Sequence, residues 1–284
     1  MESLYTLQPA VLLGAVAVLG LMVGSFLNVV ILRYPRRLMH QWKDQCRQLL
    51  ELEPCDAPTP PGIVSGRSRC PSCGHSIRAF DNIPLLSWLM LRGRCRHCQA
   101  PISWRYPLVE ALTAVLSVIV VWQLGPGAQG LAALLLTWAL IAAAGIDFDY
   151  QLLPDQITIP LLWIGLLLNI QGLFVELPSA VIGAVAGYLV LWAVFHLFRL
   201  LTGKEGMGYG DFKLLAAIGA WFGWQVLPSV ILLASLVGAV TGIVLIVVRR
   251  GSRNVPIAFG PYLAAAGWLM LFFRDPAAAF WMLS

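Results

Sequence analysis

Long apolar stretches separated by short polar segments dominate this sequence. A helix needs about 20 apolar residues to cross a bilayer core roughly 30 Å thick. Inside lipid, its backbone polar groups must be satisfied within the segment itself. We therefore predict an all-α polytopic membrane protein with about eight transmembrane helices. The predicted spans lie near residues 9–32, 107–124, 130–147, 157–175, 178–198, 212–223, 227–248 and 258–273.

The sixth of these segments, residues 212–223, is short and contains glycine, so we expect it to be tilted or partly buried among other helices. The seventh contains small residues, Ser235, Gly238 and Gly242, which favour close helix packing in membranes. The chain as a whole is only 12% charged. Soluble domains are typically about 25% charged, so composition agrees with a membrane protein.

Basic residues predict the orientation of the spans. With the N-terminus outside, the inner segments are 33–106, 148–156, 199–211 and 249–257. Together with Lys213 they hold 18 of the 19 Lys and Arg residues, and only Arg274 falls outside. Lys and Arg accumulate on the cytoplasmic side of membrane proteins. The pattern therefore places the N-terminus on the outer side and the segment 33–106 in the cytosol.

All six cysteines lie in the segment 33–106. Cys70 and Cys73 form one C-x2-C pair, and Cys95 and Cys98 form a second pair after 21 intervening residues. Two such pairs can complete a tetrahedral Zn²⁺ site. The alternative is two disulfides, but a reducing cytosol disfavours them. We predict a structural zinc, because four thiolates leave no open position on the metal.

The other features of this segment are less specific. Cys46 and Cys55 lack the spacing of a metal-binding pair, and we assign them no role. We interpret His75 and His97 as neighbours of the pairs and not as ligands. The apolar run Ile83 to Leu91 is too short to span, so we expect it on the membrane surface or packed onto the helices.

The cysteine segment has a net charge of +7, from 12 basic and 5 acidic residues. A basic zinc ribbon can bind nucleic acid. A positive cytosolic segment is also what topology and anionic lipid favour. We prefer the second interpretation and expect no nucleic-acid partner.

Two carboxylates fall at similar membrane depth in this topology. Asp147 ends the third span and Asp211 begins the sixth, 64 residues later, both on the cytosolic side. Ionisable groups near hydrocarbon are functional candidates by default. Two close, desolvated carboxylates share a proton, so one can activate water while the other protonates a scissile carbonyl. Gly208 and Gly210 are expected to allow unusual dihedral angles or a close backbone approach beside Asp211.

Other interpretations of these acids stay open. Asp211 alone can be a helix cap, Asp155 is expected to be the N-cap of the fourth span, and Asp149 a solvated or supporting residue. A transporter with proton-carrying acids is a rival function. Such proteins commonly contain inverted repeats with broken helices, and we see no such repeat in the sequence.

Several segments resemble one known family. "GYGDFKLL" (208–215) resembles the G-x-G-D motif of membrane aspartyl peptidases, and "IDFDYQLLPD" (146–155) resembles the first aspartate motif of type IV prepilin peptidases. The cysteine segment, "GSFLNVVILRYPRR" (24–37), "YPLVEALTA" (106–114) and "FGPYLAAAG" (259–267) are also similar to that family. The sequence is identified as a member of the bifunctional prepilin leader peptidase/N-methyltransferases.

This resemblance implies two reactions at the inner membrane of a bacterium. The enzyme would remove the basic leader of prepilins or pseudopilins on the cytosolic side, and then methylate the new N-terminal amine with S-adenosylmethionine. By motif, Asp147 and Asp211 are the catalytic aspartates. The implied domains are a first helix (1–32), a cytosolic zinc-binding domain with four cysteine ligands (33–106) and a membrane peptidase domain (107–284). The bound partners would be the substrates and the lipid bilayer.

No glycine-rich nucleotide motif marks a site for the methyl donor. We suspect the surface between the cysteine segment and the membrane mouth, with Glu110 as a candidate. The sequence leaves open the roles of Glu110, Asn28 and Arg33. It also leaves open the oligomeric state and the choice between pilins and pseudopilins.

Overall fold

The structure is a computed structural model that describes residues 9–53, 59–64, 66–204, 206–249 and 258–273. Within these ranges the chain is helical and forms no extended strand. Short 3-10 turns occupy Ala79–Asn82 and Trp224–Val226. The α-helices are α1 Pro9–Leu49, α2 Leu86–Met90, α3 Arg105–Leu124, α4 Ala128–Tyr150, α5 Asp155–Asn169, α6 Leu177–Thr202, α7 Tyr209–Phe222, α8 Leu227–Arg249 and α9 Gly260–Leu269.

Each of the eight predicted apolar segments forms a helix in the part of the chain that is described. Five helical stretches are long and apolar enough to cross a membrane: Pro9–Leu49, Arg105–Leu124, Ala128–Tyr150, Leu177–Thr202 and Trp224–Leu245. Helices α5, α7 and α9 are shorter, so the number of complete crossings stays a prediction. The predicted inner segment 249–257 beyond residue 249, and Arg274, lie outside the described residues.

The chain divides into two compact units that meet in sequence between Gly125 and Pro126. In the first unit, α1 packs along α3. The helices approach closely where Gly20 and Gly24 of α1 face Ala114 and Glu110, because a Cβ at either glycine would collide with α3 backbone. Helix α1 runs past residue 32, through the buried Pro35, to Leu49. The first part of the segment 33–106 is therefore a continuation of the first membrane helix.

In the second unit, α7 lies at the centre. Every residue from Leu214 to Phe222 is buried, whereas α6 exposes a row of large apolar side chains suited to lipid. Helix α6 reaches α7 through Gly183 and Gly219, which lie against each other's backbone. This burial confirms the expectation that the short sixth segment lies among other helices.

The C-terminal end of α7 is fixed by hydrogen bonds that satisfy its carbonyl groups. The buried Asn169 donates to Ala220 O at 2.9 Å and to Trp221 O at 3.1 Å. Its own Oδ1 accepts the backbone N–H of Phe174 at 2.9 Å and of Val175 at 3.1 Å. Helix ends buried in apolar surroundings need such partners, so α7 is held firmly at the end opposite Asp211.

Candidate active site and metal centre

Asp147 lies in the last turn of α4 and is only 6% exposed. The helix ends at Tyr150, and the next residue, Gln151, has a left-handed backbone (φ 52°) that directs its N–H to the Asp147 carbonyl at 2.8 Å. The carboxylate itself accepts the N–H of Gly260 at Oδ2, at a distance of 2.9 Å. Gly260 is the first residue of α9. The start of one helix therefore supports the acid at the end of another.

Asp211 lies in the first turn of α7 and is also 6% exposed. Its Oδ2 accepts the backbone N–H of Gly208, the N-cap of α7, at 3.3 Å. The two carboxylates are close enough for a direct electrostatic interaction. The structure therefore brings together two acids that are 64 residues apart in the sequence. Each accepts an N–H at the start of a helix, α9 for Asp147 and α7 for Asp211, where the partial positive charge of the helix dipole favours an anion.

Leu153 packs between the backbones that carry this pair. A Cβ on Gly210 would lie 2.6 Å from the Leu153 Cβ, and a Cβ on Gly260 would lie 2.6 Å from Asp147 Oδ2 and 3.1 Å from Leu153. A side chain at either position would therefore force its neighbour to shift. Neither Gly208 nor Gly210 has a positive φ, so the expected unusual dihedral angles are absent. The close approach at Gly210 is made by the protein's own Leu153.

The two remaining acids of the first motif have other surroundings. Asp149 is exposed, as expected for a solvated residue. The expectation that Asp155 is a helix cap was wrong by one position: Pro154 is the N-cap of α5, and Asp155 is its first helical residue. Its carboxylate accepts from Lys213 Nζ at 2.6 Å, an ion pair between α5 and α7. Lys213 is therefore engaged away from Asp211.

The sequence indicated both acids but did not indicate the partner of Asp147. Gly260 falls within "FGPYLAAAG", a segment noticed only for its family likeness. It lies 113 residues from Asp147 in the chain, and only its backbone N–H is used. A sequence motif cannot indicate a backbone donor at that separation. The two glycines of this segment were the only indication in the sequence that another group approaches the backbone there.

The cysteine pairs converge on one point in the first unit. The sulfur atoms of Cys70, Cys73, Cys95 and Cys98 all lie within 4.8 Å of one another. The Cys70 and Cys98 sulfurs are 3.8 Å apart, far beyond a disulfide length of about 2.05 Å. A tetrahedral zinc with bonds of about 2.3 Å has sulfur–sulfur edges of roughly 3.8 Å. The cluster therefore has the ligand set and the size of a metal site.

The two cysteine knuckles have the same local construction. The N–H of the first cysteine of each pair donates five residues ahead, Cys70 to His75 O and Cys95 to Ala100 O, both at 2.9 Å. The fourth residue after each of these cysteines, Gly74 or Gln99, adopts a left-handed backbone. Each turn is thus closed by its own short-range hydrogen bonds.

Backbone hydrogen bonds act to lower the pKa of two thiols in this cluster, and neighbouring thiols oppose that effect at Cys98. The N–H groups of Cys73 and Ser72 lower the pKa of the Cys70 thiol to about 6. The backbone N–H of Ala100 acts to lower the pKa of Cys98, but desolvation and hydrogen bonds with neighbouring thiols raise it to about 11. Four close thiols compete for negative charge, and a bound cation favours the thiolate at each of them.

The two histidines beside the cysteine pairs and Cys46, all within the described residues, are not part of the sulfur cluster. His75 and His97 stack with ring centroids 4.5 Å apart, and both are exposed. The cluster of possible metal ligands does not include them. Cys46 is exposed on α1. Cys55 lies outside the described residues.

Three polar residues of the first unit tie the cysteine segment to its helices. Asn28 donates to Tyr106 O at 3.0 Å, and Arg33 donates to Gly62 O and Gly66 O at 3.1 Å each. Glu110 accepts the backbone N–H of Leu85 at 2.7 Å. All three side chains make these contacts with backbone groups. These residues, whose roles the sequence left open, therefore connect α1 and α3 with the polypeptide around the cysteine pairs.

Comparison with known families divides the chain close to the boundary between the two compact units. The family described as "Bacterial Peptidase A24 N-terminal domain" matches residues 18–124, and the "Type IV leader peptidase family" matches residues 134–243. The first match contains the cysteine cluster and ends at the boundary between the compact units. The second contains Asp147 and Asp211.

Relatives with both regions cover almost the whole chain. A prepilin leader peptidase/N-methyltransferase of Aeromonas hydrophila is 61% identical over 257 residues, covering 90% of this chain and 89% of the relative. Proteins of the same name from Pseudomonas aeruginosa and Xanthomonas campestris are 55% and 51% identical, covering 90% and 92% of this chain. No solved structure matches the chain. The chain therefore belongs to the prepilin leader peptidase/N-methyltransferase family.

Proposed function

We propose that this membrane enzyme removes the basic leader of prepilins or pseudopilins and then methylates the N-terminal amine that cleavage exposes. The observation that carries the peptidase half is the buried pair Asp147 and Asp211. Neither acid is neutralised by a basic side chain among the contacts described, and both accept backbone N–H groups. The relatives, named for both activities, support the combination.

The pair suits general acid–base hydrolysis of a peptide bond. Two close, buried carboxylates hold one proton between them. The ionised member takes a proton from water as the water attacks the carbonyl carbon. The protonated member donates to the carbonyl oxygen. As the C–N bond breaks, the amine leaves with a proton from one member, and the other member takes a proton from a hydroxyl of the tetrahedral intermediate, which returns the pair to its starting state with one proton.

The second half of the proposal assigns the cysteine cluster a structural zinc and the donor S-adenosylmethionine a role in methylation. Cys70, Cys73, Cys95 and Cys98 would hold the zinc, which supplies rigidity to the segment that joins them. S-adenosylmethionine, when bound, would supply the methyl group of its sulfonium, and the free amine would release a proton as the new N–C bond formed. The transfer would require the amine nitrogen and the methyl carbon to be held in line at about 3 Å.

The location of the reactions is part of the same proposal. The distribution of Lys and Arg supports an N-terminus outside the inner membrane, with the cysteine segment and both aspartates at the cytosolic side. The division into a first helix (1–32), a zinc-binding domain (33–106) and a peptidase domain (107–284) is a proposal about function. A substrate with a basic leader and an apolar helix would reach the site laterally through the bilayer.

Intact-mass spectrometry tests both halves in one experiment. Purified enzyme is mixed with a prepilin, with and without S-adenosylmethionine. We expect loss of the leader mass in both samples and the further addition of one methyl group only with the donor. An uncleaved prepilin in both samples would contradict the peptidase proposal. Cleavage without methylation in the presence of donor would contradict the methyltransferase half.

A further inference from the structure

The backbone at Leu85 has a conformation that residues other than glycine rarely adopt. Its dihedral angles are φ 59° and ψ −49°. The N–H of Leu86 donates across it to Pro84 O at 2.6 Å. This is a three-residue γ-turn of the positive-φ type, which is rare and strained. Strained residues persist only where their surroundings hold them in place, and they cluster at functional sites.

Glu110 is the group that holds this turn. Its Oε2 accepts the Leu85 N–H at 2.7 Å, and the hydroxyl of Ser25 on α1 makes a further hydrogen bond to the carboxylate. Glu110 is only 8% exposed and lies early in α3. One side chain thus joins α1 and α3 to the strained turn.

The strained turn leads directly to the second cysteine knuckle. It begins α2, in which the Trp88 carbonyl accepts the N–H of Gly93 at 2.8 Å. The Trp88 indole covers Gly93 so closely that a Cβ there would lie 2.9 Å from the ring, and its N–H donates to Ile102 O at 3.2 Å. Gly93 is two residues before Cys95. A short series of contacts therefore connects Glu110 to the knuckle.

We propose that Glu110 is a positioning residue for methyl transfer, acting through the Leu85 γ-turn. Its carboxylate oxygen holds the turn by accepting one backbone hydrogen bond, and the turn fixes the second knuckle relative to α1 and α3. This inference rests on the proposed methyltransferase function. It makes Glu110 an acceptor for the protein's own backbone and requires no contact with the donor.

Four variants of the full-length enzyme test the acceptor role: Glu110→Gln, Glu110→Ala, Leu85→Gly, and the double variant Glu110→Ala with Leu85→Gly. The methylated fraction of cleaved prepilin is measured by intact mass. An amide oxygen still accepts the Leu85 N–H, so Glu110→Gln should stay within about threefold of wild type. Glu110→Ala should lower methylation roughly tenfold, a factor within the range expected when a buried backbone N–H is left without its acceptor.

The double variant separates positioning from general damage. Glycine adopts positive φ without a Cβ penalty, so Leu85→Gly should restore most of the methylation that Glu110→Ala loses. The matched control pairs Glu110→Ala with Leu89→Gly, which places a glycine inside α2, the helix that follows Leu85, at an ordinary backbone conformation. That control should show no recovery. Recovery of methylation in both double variants, or in neither of them, would contradict a role of Glu110 through the γ-turn.

Amide hydrogen exchange of residues 83–91 supplies a readout that does not depend on activity. We expect faster exchange in Glu110→Ala and near wild-type exchange in Glu110→Gln. Equal loss of methylation in Gln and Ala variants would overturn the proposal, because it would make the charge and not the acceptor essential. Unchanged exchange in Glu110→Ala would overturn it as well. A wild-type enzyme that failed to methylate would count against the proposed function, and the exchange result would still judge the contact.

Discussion

The cysteine cluster and the aspartate pair are built in opposite ways. Each half of the cysteine cluster is a short turn closed by its own backbone hydrogen bonds, such as Cys70 N–H to His75 O at 2.9 Å. The aspartates come from the end of α4 and the start of α7, and the N–H that supports Asp147 comes from α9, 113 residues away.

This difference determines which changes in the protein should damage each site. A locally closed knuckle needs only its partner knuckle and a cation to become a complete site. The aspartate pair needs three helices placed accurately, with glycine at the points of closest approach. We therefore expect remote changes to damage the aspartates more readily than the cysteines.

Replacing either aspartate by asparagine should have the largest effect. Asp147→Asn or Asp211→Asn should lower leader removal by about 100-fold or more, because an amide cannot exchange the proton that general acid–base catalysis requires. The measurement is the rate of prepilin cleavage by enzyme shown to be folded and membrane-inserted. Near-normal cleavage by either variant would remove that residue from the catalytic pair.

Gly260→Ala should damage cleavage without touching a catalytic side chain. Its Cβ would lie 2.6 Å from Asp147 Oδ2, so the carboxylate or the start of α9 must move. A misplacement of about 1 Å can cost roughly 100-fold in rate, and we expect a loss of about 10- to 100-fold. Gly127→Ala, at the other end of α4 where a Cβ meets nothing within 4 Å, is the control. Equal rates for the two variants would contradict the tight packing around Asp147.

Removing one thiolate should separate the two activities. Cys95→Ser should lower the methylated fraction about tenfold and affect cleavage less, because alignment of amine and donor is more demanding than access to the acid pair. The wild-type protein, purified without a metal-affinity tag, should contain one zinc per chain by elemental analysis, since such a metal contributes to folding. A metal-free, fully active preparation would contradict this role. Equal loss of both activities in Cys95→Ser would show that the cysteine segment also shapes the peptide-binding site.

Asp149→Asn should have the smallest effect. Asp149 is exposed two residues from Asp147, and exposed substitutions usually change free energies by less than about 0.5 kcal/mol. We expect a cleavage rate within about threefold of wild type in the same prepilin assay, which is the loss that such a free-energy change allows. A loss comparable with that of Asp147→Asn would mean that the first motif contributes a different acid from the one proposed.

Local chemistry is what the sequence alone could predict. The C-x2-C spacing predicted a four-sulfur cluster because each pair is closed within a few residues, and apolar length predicted the helices because lipid requires it. The sequence also indicated Asp147 and Asp211, since acids next to apolar runs are rare. It erred on Asp155 by one residue, because the helix begins at that aspartate and Lys213 from α7 engages the carboxylate where a cap was expected.

The supporting contacts were decided by tertiary structure. Gly260 and Leu153 act on the aspartates through backbone and through shape, and neither property has a sequence signature. The same holds for Glu110, whose carboxylate accepts a hydrogen bond from a strained leucine that no turn rule would place there. The sequence by itself determined the helices and the cysteine pairs, because composition and short-range spacing suffice for these, and it selected the two acids through their resemblance to the motifs of a known family. Only the packing of α4, α7 and α9 determined that the acids meet. The sequence of one helix does not specify which distant helix packs against it or at what angle, because that depends on how the two surfaces fit.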